Sequence, residues 1–138
     1  LTKKTLEVLK CDLNDIQIVF PKTNLFVYGT LLSRYINLNY YEIEVYDQTI
    51  NFPAFNTTIY YYEFDLPYAG FLYIWFSATG TAKITVEGNY AGYQYRYVIS
   101  STGGEYIVPI LPGIVRVYME NPNYYNSLTL TITIVYYY

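Results

Sequence analysis

Along the second half of the chain, apolar positions recur at every second residue. The clearest case is Leu128-Thr129-Leu130-Thr131-Ile132-Thr133-Ile134, with four aliphatic residues on one side and three threonines on the other. A period of two is that of a half-buried strand, so Leu128, Leu130, Ile132 and Ile134 are predicted to face a core and the threonines to face water. Val115, Val117 and Met119 alternate in the same way with Arg116, Tyr118 and Glu120. Pro112-Gly113 before that segment and Asn121-Pro122-Asn123 after it are turn formers. Ile84 and Val86 alternate with Lys83, Thr85 and Glu87 ahead of a turn at Gly88-Asn89, and Tyr93, Tyr95 and Tyr97 then share one face. Residues 100–104 are small and polar and read as a loop before the apolar run 106–111. Residues 70–76 are apolar on both faces, which predicts a central strand or one whose outer face is covered.

The first half is less regular. Tyr41, Ile43 and Val45 alternate with Glu42 and Glu44, which puts Tyr40 and Tyr46 on the outward face beside the two glutamates. Residues 57–64 form another predicted strand, and 16–20 and 25–28 form short ones, punctuated by Pro21, Pro53 and Pro67. Residues 31–37 fit a single helical turn. Residues 3–16 fit a helical stripe (Leu6, Leu9, Leu13, Ile16) and also, at Thr5-Leu6-Glu7-Val8, a strand; an extended N-terminal arm over residues 1–12 is the preferred reading. About nine to eleven short strands, with a turn about every eight to twelve residues, predict an all-β, antiparallel, two-sheet sandwich of jelly-roll type. At 138 residues it forms one domain.

Composition narrows what such a sandwich can do. The chain has 21 tyrosines and no histidine, and only 14% of its residues are charged, against a usual ~25%. Tyrosine packs, stacks and hydrogen-bonds without titrating until strongly alkaline pH, whereas histidine is the commonest general base and metal ligand. A net charge of −3, with eleven carboxylates and eight cations, means that little charge changes on acidification, so the composition tolerates acid. Lys3, Lys4 and Lys10 are the only local basic group, which offers no footprint for nucleic acid. The lone Cys11 cannot form an internal disulfide and reads as a small buried hydrophobe. No stretch approaches the ~20 apolar residues of a membrane-spanning helix. The chain starts at Leu1 rather than Met, for which a removed leader is one explanation.

Residues 68–138 carry a pattern of their own: Ala69-Gly70-Phe71-Leu72-Tyr73, then Gly104-Glu105-Tyr106-Ile107-Val108-Pro109-Ile110-Leu111-Pro112-Gly113, then a Thr/Ile final strand ending in Tyr136-Tyr137-Tyr138. This half of the chain resembles the exterior β-sandwich proteins of thermoacidophilic crenarchaea and their viruses, among them coat, turret, fibre and surface-filament subunits. The resemblance implies an extracellular or virion-surface location and implies no catalytic residue.

Candidate chemistry is sparse. Glu42, Glu44 and Asp47 could hold a hard cation, but two glutamates on one strand face read first as a surface charge pair. An acid pair for glycoside hydrolysis could be drawn from Glu63, Asp65, Glu87, Glu105 or Glu120, and no spacing selects any two. Gly103-Gly104 lacks the helix that a phosphate loop needs. The chain is therefore read as non-enzymatic, with no metal and no cofactor. Asn56-Thr57-Thr58 is the sole glycosylation sequon. More rings are present than one small core absorbs, which points to an interface built from Tyr40, Tyr46, Tyr73, Trp75, Tyr136, Tyr137 and Tyr138. The expected function is a structural subunit of an extracellular assembly, partnered by copies of itself or by other subunits. The alternative is a lectin-like module binding cell-surface glycans. In the assembly reading, residues 1–10 or the strand 127–138, taken as an uncovered edge, would pair with a neighbour.

Overall fold

The computed structural model describes residues 40–138 of the chain. Within them six strands follow one another: β1 (Tyr41–Phe52), β2 (Ile59–Leu66), β3 (Gly70–Tyr90), β4 (Tyr93–Ile110), β5 (Gly113–Glu120) and β6 (Leu128–Tyr137). Every pairing is antiparallel. The long strands β3 and β4 form one hairpin, and that hairpin is shared by two arms of a single curled sheet. The first half of β3 pairs with β6 on one side and with the second half of β4 on the other, and β1 pairs with β6. The second half of β3 pairs with β5 and with the first half of β4, and β2 pairs with β5. The arms are therefore β1-β6-β3-β4 and β2-β5-β3-β4.

The bend between the arms lies at the register break between Ser77 and Ala82. The glycines opposite make room for it. Gly103 and Gly104 have φ of 156° and 133°, and a Cβ on Gly103 would lie 2.7 Å from the Phe76 carbonyl oxygen. Residues 100–104 are thus strand rather than loop. Their small side chains argue for a loop locally, but β3 is alongside to pair with them, and long-range pairing overrides local composition. For the same reason residues 70–76 and 83–87 are one strand, as are 93–97 and 106–110.

One buried cluster joins the arms. Leu72, Ile74 and Phe76 of β3 meet Leu128, Leu130, Ile132 and Ile134 of β6 and, from the other arm, Ile84, Val86, Val115, Val117 and Met119. The predicted register of β6 holds: its four aliphatic residues are buried and its threonines are not. Removing each such side chain from water is worth about 1.5–3 kcal/mol. Two tyrosines fasten the chain where it crosses between arms. The Tyr95 hydroxyl donates to the Leu111 carbonyl (3.2 Å) and accepts from the Leu111 N–H (3.1 Å). The Tyr136 hydroxyl does the same for Tyr68, at 2.7 and 3.1 Å.

Three sequence expectations need correction. A sandwich of two separate sheets is replaced, among the described residues, by one sheet continuous through β3 and β4. The final strand is not an open edge, because β6 lies between β1 and β3 with both sides paired. The facing of β1 is also reversed at its start. Bulges between Ile43 and Val45 and between Val45 and Gln48 change the alternation, so Glu42 pairs with inward Tyr136 while Tyr41 and Ile43 pair with Tyr137 and Val135. The N-terminal arm, the strands predicted at 16–20 and 25–28, the turn at 31–37 and Cys11 lie outside the described residues.

Candidate functional site: an aromatic sheet face

The two arms present different outer faces. Across β2, β5, β3 and β4 the residues Glu63, Arg116, Glu87 and Arg96 stand in register, with charge alternating from strand to strand. Arg116 Nε lies 2.7 Å from Glu63 Oε2 and Arg96 Nε 3.2 Å from Glu87 Oε1; two rows further along the same face Lys83 Nζ lies 2.7 Å from Glu120 Oε2, and the row between holds Tyr61, Tyr118, Thr85 and Val98, of which Tyr61 and Val98 are exposed. A shallow depression of about 590 Å³ sits on this ladder, lined by Glu87, Asn89, Gln94, Arg96 and Arg116. Cross-strand ion pairs at a surface contribute little each, but they fix register and keep the face wet. Glu63, Glu87 and Glu120, all considered as catalytic acids, are therefore partners of cations. Glu105 lies on the other arm, beside the Tyr73 hydroxyl. Burial, and then this carboxylate, push the Tyr73 pKa above the usual phenol value.

The outer face of the β1-β6-β3-β4 arm is of another kind. Cross-strand register aligns Tyr41, Tyr137, Phe71 and Pro109 in one row, Ile43, Val135, Tyr73 and Ile107 in the next, and Thr133, Trp75 and Glu105 in a third. The Phe71 and Tyr137 rings stack at 4.8 Å, and Tyr41 leans on Tyr137 at 5.8 Å. Tyr41 is 63%, Ile43 56% and Trp75 37% exposed, so among the described residues the patch lies uncovered. Beyond it lies a hydroxyl surface, where Thr49 and Thr131 hydrogen-bond at 3.0 Å and Thr129 donates to Asn51 at 3.0 Å. Within those three rows Glu105 is the one ionisable carboxylate.

Of the rings picked out by sequence, Tyr73, Trp75 and Tyr137 are brought together here. Tyr136 is not an interface residue: it is fully buried in its own chain, because its position alternates with Tyr137 and its hydroxyl is spent on Tyr68. Tyr40 and Tyr138 lie on the inner side, stacked on each other at 5.8 Å, with Tyr138 also stacked on Tyr68 and Tyr136 and donating to Glu42 at 2.7 Å. Tyr46 is exposed at the β1 bulge next to Asp47, whose φ is 48°. Glu44 is separated from Glu42 by the bulge; burial, then the charge of Glu42, raise its pKa. Among the described residues no three Asp, Glu, Cys or His gather to hold a metal. Asn56 is exposed between β1 and β2, its Oδ1 accepting from the Thr58 N–H (2.9 Å) and hydroxyl (2.5 Å). Sequence reasoning missed Tyr41, Ile43 and Phe71 on the platform. Phe71 was legible from its spacing to Tyr73; the other two were hidden by the bulge. Among the described residues no helix is long and apolar enough to cross a membrane.

No protein-family model matches the chain, and no curated protein sequence does. Among solved structures it is similar to the C-terminal domain of A223, a structural protein from Sulfolobus turreted icosahedral virus, at 14% identity over 72% of this chain and 99% of that one, TM-score 0.42. It is also similar to a point mutant of the family 29 carbohydrate-binding module CBM29-2 complexed with cellulohexaose, at 15% identity over 70% and 75% of the chains, TM-score 0.48. A third likeness is to TmCBM61 in complex with β-1,4-galactotriose, at 16% identity over 65% and 69%, TM-score 0.45. Similarity at this level concerns β architecture only, and none of it assigns a residue.

Proposed function

We propose that the chain is a non-enzymatic structural subunit of an extracellular assembly, a virion coat, turret or fibre or a cell-surface filament, that packs against copies of itself or other subunits through the outer face of the β1-β6-β3-β4 arm. The observation that carries this reading is the contrast between the two outer faces: Tyr41, Ile43, Tyr73, Trp75, Val135 and Tyr137 form a continuous aromatic and aliphatic platform with Glu105 as its one carboxylate on one, whereas on the other the three ion pairs lie on either side of the Tyr61–Tyr118 row. Aromatic side chains on a sheet add contact area with little rotamer entropy left to lose. Four strands at ~4.8 Å and about five residues at ~3.3 Å give a patch of roughly 300 Å² in projection, which the adjoining Thr49–Thr131 hydroxyl surface and side-chain relief extend towards the ~800 Å² per partner of a standard interface. The fold suits the role. If β3 and β4 are each counted once per arm, two four-stranded arms sit around one core, in the strand order of a jelly-roll sandwich. Acid-tolerant composition and the resemblance of residues 68–138 to crenarchaeal and viral exterior proteins support a location outside the cell or on a virion.

Sedimentation velocity over a range of concentrations tests the reading. The wild-type chain is expected to self-associate, Trp75→Glu and Tyr73→Glu to shift it to monomer without lowering its unfolding temperature, and Arg96→Ala on the opposite arm to change nothing. A chain that stays monomeric at high concentration, or face variants that associate like wild type, would overturn it. A second reading, a lectin-like module stacking sugars on the same platform, follows from the same uncharged rings. A glycan array with wild type and Trp75→Ala separates the two readings.

A further inference from the structure

The end of the molecule where the chain crosses from β1 to β2 and from β5 to β6 carries a second aromatic group, unrelated to the sheet face. Phe55, Tyr124 and Tyr125 meet there with ring centroids 5.6–6.2 Å apart and interplanar angles of 81–85°, so the three rings stand nearly perpendicular to one another. They are exposed at 65%, 47% and 74%, although three large rings together would ordinarily turn inward. The chain also holds Phe55 in an unfavourable conformation to keep them there. Its φ is 60°, a value that costs any residue with a Cβ and that glycine adopts freely. The Phe55 N–H donates to the Tyr124 carbonyl at 2.7 Å, locking one loop to the other.

The two loops are braced and carry no charge of their own; the Lys83–Glu120 ion pair marks the strand end from which they leave. Residues 53–58 and 121–127 contain no ionisable side chain apart from the two tyrosines, and contain four asparagines. The asparagine oxygens brace the loops: Asn121 accepts from the Asn123 N–H at 3.0 Å, Asn123 from the Tyr125 N–H at 3.1 Å, and Asn121 Nδ2 donates to the Asn126 carbonyl at 2.6 Å. The Asn56 and Asn123 oxygens are used in this way while, among the described residues, their Nδ2 groups bond to nothing. Among the described residues the two loops therefore offer preorganised ring faces and amide donors, with no charged side chain in either loop.

We propose that this tip is a binding site for neutral glycans. A pyranose presents a C–H face that stacks on an aromatic ring and a rim of hydroxyls that accept from amide N–H groups, which matches rings and amides side by side. A sialylated, sulfated or phosphorylated ligand would find no cation between the two loops. The site is separate from the proposed assembly face and does not depend on it. Its rigidity lowers the ordering cost of binding, the usual reason for tolerating a strained backbone at a site.

The test is an NMR titration of the full chain, made without glycosylation, with neutral glucose and mannose hexasaccharides and with a sialylated oligosaccharide. Saturable shifts of the Phe55, Tyr124 and Tyr125 ring signals with a neutral sugar, and none with the sialylated one, are expected. Phe55→Gly removes the ring and relieves the backbone, so it should fold at least as readily yet bind about tenfold more weakly, the effect of one lost ring contact. Tyr125→Ala should do the same, and Trp75→Glu should bind like wild type. The proposal is overturned if no neutral sugar shifts those rings, if Phe55→Gly binds undiminished, or if the tip responds only to a protein partner.

Discussion

Replacing Tyr136 by Phe removes one oxygen and leaves the ring in place. That oxygen is enclosed in a fully buried side chain and bonds both the carbonyl and the N–H of Tyr68, where the chain passes from β2 to β3. Each such bond is worth about 0.5–1.5 kcal/mol net, so the loss should be about 1–3 kcal/mol. In a chain of this size, ~2 kcal/mol corresponds to a fall of about 6–12 °C in Tm. Tyr137→Phe is the matched control. Its ring faces outward and stacks on Phe71, and among the described residues no bond depends on its hydroxyl, so its effect should stay within about 0.5 kcal/mol. Urea unfolding at neutral pH, with m unchanged between variants, measures both. Equal effects for the two substitutions, or none for Tyr136→Phe, would refute the reasoning that places Tyr136 in the core and not at an interface.

Tyr95→Phe, which breaks the same kind of clamp on Leu111, should also cost about 1–3 kcal/mol. Ile132→Ala should cost about 2–5 kcal/mol by urea unfolding, and Thr131→Ala well below 1 kcal/mol, since only the first side chain is buried. Stability against pH, followed by circular dichroism, should be level through neutrality and fall above pH ~10. Burial raises the Tyr73, Tyr95 and Tyr136 pKa values, and the bond to Glu42, then burial, raise that of Tyr138 to about 12. A raised folded-state pKa gives stability that is complete below the unfolded value and lost as pH climbs through the folded one. By the same sign, Glu44 favours the fold below the ordinary carboxylate pKa, and Glu44→Gln should remove that acid-side gain.

Strand content and the facing of β6, β5 and the second half of β3 were legible in the sequence, because one face of each is buried and a period of two records that directly. What composition concealed was continuity. Residues 100–104 look like a loop and become strand only because β3 lies alongside. The β1 bulges likewise moved Tyr41 and Ile43 onto the platform and Glu42 off the outward face, a shift decided by pairing with β6 and invisible in the alternation itself. Tyrosine abundance announced ring surfaces but did not sort them: Tyr136 and Tyr137 are neighbours, one in the core and one outside. The tip trio left no periodic signal, since Phe55 and Tyr124 meet through two loops far apart in sequence.

In the proposed assembly, a neighbouring subunit covers the Tyr73–Trp75–Tyr137 platform. Cryo-electron microscopy of the particle or filament at side-chain resolution tests this directly. The expected result is an inter-subunit contact of more than ~1,000 Å² with Tyr73, Trp75 and Tyr137 at its centre and the Glu63-Arg116-Glu87-Arg96 ladder facing solvent. An assembly held together elsewhere, with the platform open to water, would contradict it.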